Sequence, residues 1–303
     1  MRDSFSKSLV RAAQKDANLY LLTGDHGYAL FDSLRKATPD RFINAGVAEQ
    51  NMVGVAAGMA KTGFMPVVYG LSAFVPVRVL EQIKIDFCYE NLPGILVGDG
   101  AGVVYSHLGA SHQSTEDIAC LRALPNIRIL SPADKFEMEA CFQLALDAKA
   151  PVYLRMGKSD LGDVHKSVPR IVWGEPLTVQ EGDGDVVFVA TGSMVGQAVK
   201  IADAVQKNTT VLSVPCIKPL NEESFAKAFK NKKQIFVIEE HSIYGGLGSA
   251  IAEVSGTIGG PRVNRLGIRD RFSKMCGTYQ YLMKEHELDF ESLLQNVSAK
   301  LRG

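Results

Sequence analysis

The sequence has no excess of either charge: its 303 residues hold 33 Lys plus Arg against 33 Asp plus Glu, a formal net charge of zero. That balance argues against the basic surface that a nucleic acid or an anionic membrane would require. Cysteine is scarce. The five present, Cys88, Cys120, Cys141, Cys216 and Cys276, are scattered and never form a Cys-x-x-Cys pair, so most read as reduced core residues rather than a disulfide framework. The histidines also lack metal-ligand spacing; His107 and His112 fall in one Gly-containing loop rather than on a helical face, and no metal site is expected. No apolar run is long enough to span a bilayer, and Met1-Arg2-Asp3-Ser4-Phe5 lacks the apolar core of a signal peptide, so a cytoplasmic protein is expected.

What the chain does have is material for two cores. Hydrophobic residues make up 46% of a 303-residue chain, and that length sets two domains as the expectation. The most informative stretch runs from Phe42 to Phe64. A short apolar strand (Phe42, Ile43) meets Gly46, after which Val47, Met52, Val55, Ala56, Met59 and Ala60 recur at helical spacing. Gly54, Ala56, Ala57, Gly58 and Ala60 let other backbone approach closely, so this helix should be buried. Glu49 sits in its first turn. An acid there can simply favour the helix dipole; since burial favours the neutral form of a carboxyl, it can also be a proton-sharing group facing a cofactor.

Gly46-Val47-Ala48-Glu49-Gln50-Asn51-Met52, with the small-residue run behind it, resembles the signature of transketolase-type thiamine diphosphate enzymes. Further matches follow along the whole chain in family order. The resemblance implies an α/β chain of two three-layer αβα domains. Residues 1–160 would form a pyrimidine-binding domain with a parallel sheet, 161–184 a linker, and 185–303 a C-terminal domain with a mostly parallel sheet that serves assembly. It also implies that Glu49 hydrogen-bonds the aminopyrimidine ring of the cofactor and is catalytic.

Taken in order, residues 3–16 show a helical period with Asp3 or Ser4 as cap, and Leu19-Tyr20-Leu21-Leu22 reads as a buried strand. That strand runs into Thr23-Gly24-Asp25-His26-Gly27-Tyr28, and open α/β sheets place ligands just past the carboxyl ends of their strands. Asp25 and His26 fit an ordinary loop cap as well as such a site; the resemblance sets the aspartate against the cofactor where two subunits meet, with His26 on the substrate side. Phe74 follows the strand at Met65–Tyr69 and so lies on the same sheet edge. The resemblance puts an aromatic ring here, stacked on the aminopyrimidine, and Arg78, at the start of a helix expected to reach Tyr89, is the neighbouring cofactor-side candidate. In the loop Val104–Ser114, a helix with Glu116 and Asp117 as capping acids follows. His112 can be a local hydrogen-bonding residue; in transketolase relatives the His-Gln of this loop contacts the hydroxyls of the transferred ketol unit, which makes His112 catalytic and substrate-binding. His107 is a further substrate-side candidate beside Leu108, which stands where transketolases hold an acid that reads a sugar hydroxyl. Arg155, at the end of the strand starting at Pro151, is either a salt-bridge partner or an anion clamp; the resemblance assigns it the substrate's phosphate.

Gly98-Asp99-Gly100 has the look of a magnesium diphosphate motif, yet the Asn-Asn pair that accompanies it in this enzyme class occurs nowhere in the chain. A second Gly-Asp-Gly at 182–184 reads as a turn before a strand. The diphosphate half of the site is therefore expected on another chain, an N-terminal transketolase subunit that holds Mg2+ (or Ca2+), in an α2β2 assembly. The resemblance then implies a split transketolase moving a two-carbon ketol unit from an anionic ketose to an aldehyde. The competing readings are a 1-deoxyxylulose-phosphate-synthase-like or two-oxoacid dehydrogenase beta subunit, and a non-catalytic assembly subunit.

Overall fold

The computed structural model describes residues 1–158 and 161–302. Residues 159 and 160, where the first domain was expected to end, and 303, the end expected for the second, lie outside the described residues. Among the described residues twelve strands form two sheets: β1 (Leu19–Thr23), β2 (Phe42–Asn44), β3 (Met65–Leu71), β4 (Gly94–Asp99), β5 (Arg128–Leu130), β6 (Pro151–Met156), β7 (Leu177–Gln180), β8 (Val186–Ala190), β9 (Thr210–Ser213), β10 (Cys216–Lys218), β11 (Gln234–Ser242) and β12 (Arg262–Ile268). The first sheet has seven strands in the order β10-β5-β6-β4-β3-β1-β2. All its pairings are parallel except that of β10 with β5, so β1, β2, β3, β4 and β6 end on one edge.

Alternation along these strands explains the three layers. Leu21, Val67, Tyr69, Ile95 and Val97 face a core built with Phe5 and Leu9 of the helix Arg2–Lys15 and Phe142 of Lys135–Leu146. Leu22, Val68 and Leu96 face the opposite core, with Met52 and Val53 of the helix Glu49–Lys61 and with Ile83 and Phe87. Each such side chain contributes roughly 1.5–3 kcal/mol by leaving water. The expected helix before Tyr89 is present in mixed form: a 3-10 turn Val77–Val79, a short α-turn Leu80–Gln82 and a π-helix Ile83–Tyr89.

The second sheet has the order β12-β11-β8-β9-β7 and is parallel except for β7 against β9. The helices Val195–Val205 and Phe290–Arg302 cover one face, and Glu222–Ala228 and Leu247–Thr257 the other. Two three-layer α/β units with mostly parallel sheets result, as the sequence led one to expect.

Several local expectations need correction. The stretch expected as linker contains β7, because Leu177 and Val179 alternate with polar residues and the strand pairs with β9 through Leu177, Thr178 and Gln180. The first helix begins at Arg2, with Met1 rather than Asp3 or Ser4 at its N-cap. Glu116 does stand at the N-cap of the helix Asp117–Arg122, but its side chain caps nothing there: it accepts from Thr115, while Asp117 is drawn into the interior. The strand β10, unforeseen, leaves the second half of the chain to pair with the edge of the first sheet. No helix among the described residues is long and apolar enough to cross a membrane.

Candidate active site

The carboxyl ends of β1, β2 and β3 converge on Glu49. Its helix starts with Ala48 at the N-cap after the left-handed turn of Gly46 (φ 70°), which folds the chain back over the sheet edge. The carboxyl is 4% exposed. Oε2 accepts from Arg78 Nη1 at 3.1 Å, whereas Oε1 is buried with no partner. Buried carboxylate oxygens are ordinarily satisfied, so this one marks a place where a donor from outside the chain fits.

Around it lie the aromatic and basic groups. The Arg78 guanidinium stacks over the Phe74 ring at 3.9 Å from its centroid. The His112 ring meets Phe74 edge-on at 5.3 Å between centroids, and the His26 ring lies tilted to it at 6.1 Å. His26 Nδ1 is buried and also lacks a partner. Gly24 fits between, since a β-carbon there would stand 3.2 Å from the Gly46 carbonyl and 3.8 Å from both Glu49 and His26. Thus Glu49, Phe74, Arg78, His26 and His112, distant in sequence, form one cluster.

Asp25 sits at the cluster's margin. It is exposed, adopts a left-handed backbone (φ 63°) and exchanges two hydrogen bonds with Asn44: its own N–H donates to Asn44 Oδ1 at 3.0 Å, and Asn44 Nδ2 donates to Asp25 Oδ1 at 3.2 Å. Asn44 Oδ1 also accepts from Gly46 N–H at 3.0 Å, so this one side chain ties the ends of β1 and β2 to the turn before Glu49. Sequence reasoning missed it, although an Asn two residues before a glycine at a strand end is a recognised turn-forming signal. His107 and Leu108 are exposed on the 3-10 turn Ser106–Leu108, and the structure does not bring them against the Glu49 cluster.

Arg155 is not on the surface of the site. It is 3% exposed, donates through Nε to Asp117 Oδ2 at 2.8 Å and through Nη2 to the Glu240 carbonyl at 2.9 Å. Two of its three nitrogens are thereby engaged by protein groups. It anchors a buried polar seam between the two halves. Tyr153 donates to the same Asp117 oxygen at 2.7 Å; Glu240 accepts from Val103 N–H at 2.8 Å, Ser193 at 3.1 Å and Tyr279 at 2.6 Å. Burial pushes the Glu239 carboxyl up to about 7, even with two N–H donors of the helix Leu247–Thr257 on it. Burial likewise pushes His241 down to about 4. It is then neutral at pH 7, with Nδ1 donating to the Ser242 carbonyl at 2.7 Å and Nε2 accepting from Ala119 N–H at 3.4 Å.

Asp99, of the first Gly-Asp-Gly, is also engaged structurally, accepting from Tyr69 at 2.7 Å and Tyr105 at 3.0 Å, with Arg2 at 3.5 Å. Asp183, of the second, bonds Asn208 in a surface turn. Among the described residues no group of His, Cys, Asp and Glu is placed to hold a metal ion.

With this geometry in view, the comparisons with known proteins are specific. Residues 1–163 match the transketolase pyrimidine-binding domain and residues 174–291 the transketolase C-terminal domain. The chain is 35% identical to one of the subunits of an apulose-4-phosphate transketolase from Actinobacillus succinogenes, over 86% of this chain and 84% of that one. It is 31% identical to a 6-deoxy-6-sulfo-D-fructose transketolase subunit of Clostridium sp. strain MSTE9, over 97% and 92% respectively. A solved structure described as a split gene transketolase, inactive beta4 tetramer, superimposes with a TM-score of 0.88 at 31% identity, covering 98% of this chain and 96% of that one. The chain therefore belongs to the transketolase family, spanning its pyrimidine-binding and C-terminal domains.

Proposed function

We propose that this chain is the beta-type subunit of a two-component transketolase. It would transfer a two-carbon ketol unit from an anionic ketose to an aldehyde when joined to an N-terminal subunit that holds the diphosphate and its Mg2+ (or Ca2+), in an α2β2 assembly. The observation that carries this reading is the orphaned Glu49 Oε1 at a sheet edge beside the half-buried ring of Phe74. Those residues fit the pyrimidine end of thiamine diphosphate. When bound, that cofactor supplies the electron sink for breaking and remaking a bond next to a carbonyl.

The work of this chain is to hold and tune. Glu49 Oε1 would share a proton with a pyrimidine ring nitrogen, and Arg78 on Oε2 fixes the carboxyl's direction. Phe74 offers a ring face, and Asp25, locked by Asn44, lines the approach. His112 would hold or move a proton at a hydroxyl of the ketol unit, with His26 beside it and His107 further out. Val47 and Tyr28, two residues from Glu49 and His26 respectively, are 74% and 72% exposed. Large apolar side chains at the rim of a site suit cover by a partner subunit. The solved relative named an inactive beta4 tetramer supports the need for such a partner. Both relatives' names specify sugars bearing an anionic group, phosphate in one and sulfo in the other, which supports an anionic substrate.

The test is Glu49→Gln in the reconstituted complex. Ketol transfer is expected to fall by about 100-fold or more, as for loss of a positioned acid-base group, with the melting temperature of the chain unchanged or raised because a half-satisfied buried carboxyl is relieved. Near-normal transfer removes Glu49 from the mechanism. Release of carbon dioxide from pyruvate in place of ketol transfer would redirect the reading to a 1-deoxyxylulose-phosphate-synthase-like enzyme.

A further inference from the structure

The loop that carries His112 is held from both halves of the chain. On the side of the first half, Gly102 and Ser114 exchange backbone hydrogen bonds at 2.9 Å, and Ser114 Oγ donates to the Ser72 carbonyl at 3.1 Å, two residues before Phe74. On the other side the holder is the segment between β12 and the helix Tyr279–Glu285. Gly277 N–H donates to the Ser106 carbonyl at 3.3 Å, and a β-carbon at Gly109 would stand 3.0 Å from the Cys276 sulfur. Ser273 Oγ then donates to Gln113 Oε1 at 2.7 Å and lies 2.8 Å from His286 Nε2. Since the hydroxyl proton goes to Gln113, His286 Nε2 is the donor to Ser273, and the three groups form one directed chain, His286 to Ser273 to Gln113. The segment is braced in turn by Glu285 Oε1, which accepts from Lys274 N–H at 2.7 Å and from Arg271 at 3.3 Å.

The chain is polar where packing alone would favour apolar groups. Gln113 is 7% exposed and His286 4%, and Gln113 Nε2 and His286 Nδ1 are both buried without a partner. Two orphaned buried atoms are a cost that an apolar contact of the same shape would avoid, and such local conflicts gather at functional sites. Between the anchors, His107, Leu108, Ala110 and Ser111 are exposed, so the anchors and the contact of His112 with Phe74 carry much of the loop's placement.

We infer that Ser273 and His286, from the C-terminal half, are positioning residues for ketol transfer: they fix Gln113 and thereby the place of His112 over Phe74. This rests on the ketol-transfer reading and adds to it that the second half of the chain, beyond assembly, sets the geometry of the substrate loop. A reacting group displaced by a small distance loses rate steeply, so the loss appears in substrate use without a loss of cofactor binding.

The test compares Ser273→Ala, His286→Leu, their double variant and Ser273→Thr in the complex with the diphosphate-binding subunit. Either single variant is expected to lower kcat for the ketose more than it raises KM, lowering kcat/KM about tenfold, the scale of one lost buried hydrogen bond. The double variant should be no worse than either single one because one chain is broken once. Ser273→Thr, which keeps the hydroxyl, should restore most of the loss, and thiamine diphosphate affinity by fluorescence titration should stay the same throughout. A readout free of activity is the ring resonance of His112 in the histidine-labelled full chain, expected to move in Ser273→Ala and not in Ser273→Thr. Wild-type kcat/KM and an unmoved His112 signal in both single variants overturn the inference, as does full additivity in the double variant. The control His112→Ala separates the two layers: if it keeps full transfer, the ketol reading of His112 fails; if it loses transfer while Ser273→Ala does not, only the positioning role fails.

Discussion

The buried pair of Arg155 and Asp117, both in the first half, gives a direct quantitative test of the base from which Arg155 reaches across to the Glu240 carbonyl. Both are nearly or fully excluded from water, at 3% and 0% exposure. Asp117 Oδ2 receives Arg155 Nε at 2.8 Å and the Tyr153 hydroxyl at 2.7 Å. Asp117→Asn removes the charge and keeps an oxygen for Tyr153, leaving a guanidinium buried without its counter-charge. Breaking one side of such a pair costs about 3–5 kcal/mol. The remaining bond from Arg155 Nη2 to the Glu240 carbonyl at 2.9 Å and the retained amide oxygen place the expectation at the lower end, about 3 kcal/mol. Arg155→Met strands the carboxylate but leaves Tyr153 donating to it, so a similar cost of about 3 kcal/mol is expected. The double variant Asp117→Asn with Arg155→Met buries no charge and should recover about half or more of that loss, since apolar replacement of a buried pair is often near neutral. Urea unfolding at neutral pH would be followed by the fluorescence of the single tryptophan, Trp173, which packs against the first core beside Arg128. A cost under about 1 kcal/mol for Asp117→Asn, or a double variant as unstable as the sum of the singles, would refute the view that the pair acts as a coupled buried unit.

Two further outcomes follow from other contacts. His165 Nε2 lies 2.7 Å from buried Glu137 Oε1, and this hydrogen bond raises its pKa above the ordinary 6.5. A raised folded pKa means stability that is complete below the unfolded value and lost as pH climbs through the folded one. Hydrogen exchange of the Val164 and His165 amides, which donate to Asp134 at 2.9 and 2.8 Å, should therefore quicken, beyond its intrinsic pH dependence, on going upward from about pH 6.5. That excess should vanish in His165→Gln, and an excess in the acid direction would contradict the assignment. Gly102 has φ +74°, and a β-carbon there would meet Glu240 Oε1 at 2.3 Å. Gly102→Ala should cost about 2–3 kcal/mol through backbone strain and displacement of Glu240, measured by urea unfolding; a change within about 0.5 kcal/mol would show that the seam yields there.

How much of this could be read from the sequence depends on how local each cause is. The helix of Glu49 was legible because its small residues and apolar period are contiguous, and the strand-end positions of Asp25, Phe74 and Arg78 follow from a parallel sheet that gathers its carboxyl ends on one edge. Arg155 sits at such a strand end too, and what holds its guanidinium in the interior is non-local. Asp117 and the Glu240 carbonyl come from distant segments, and β10 crosses from the second half to the edge of the first sheet. Glu239, Glu240 and His241 are all ionisable, yet near the end of β11 all three are buried, because the helix at Leu247, the backbone at Val103 and the Tyr279 hydroxyl supply the donors to the two carboxyls. Polar residues declare their environment only through partners, and partners far along the chain leave no periodic trace. The same reasoning explains why the C-terminal half read as mere support: Ser273 and His286 carry no motif, and their bearing on His112 exists only once Gln113 is seen between them and the loop.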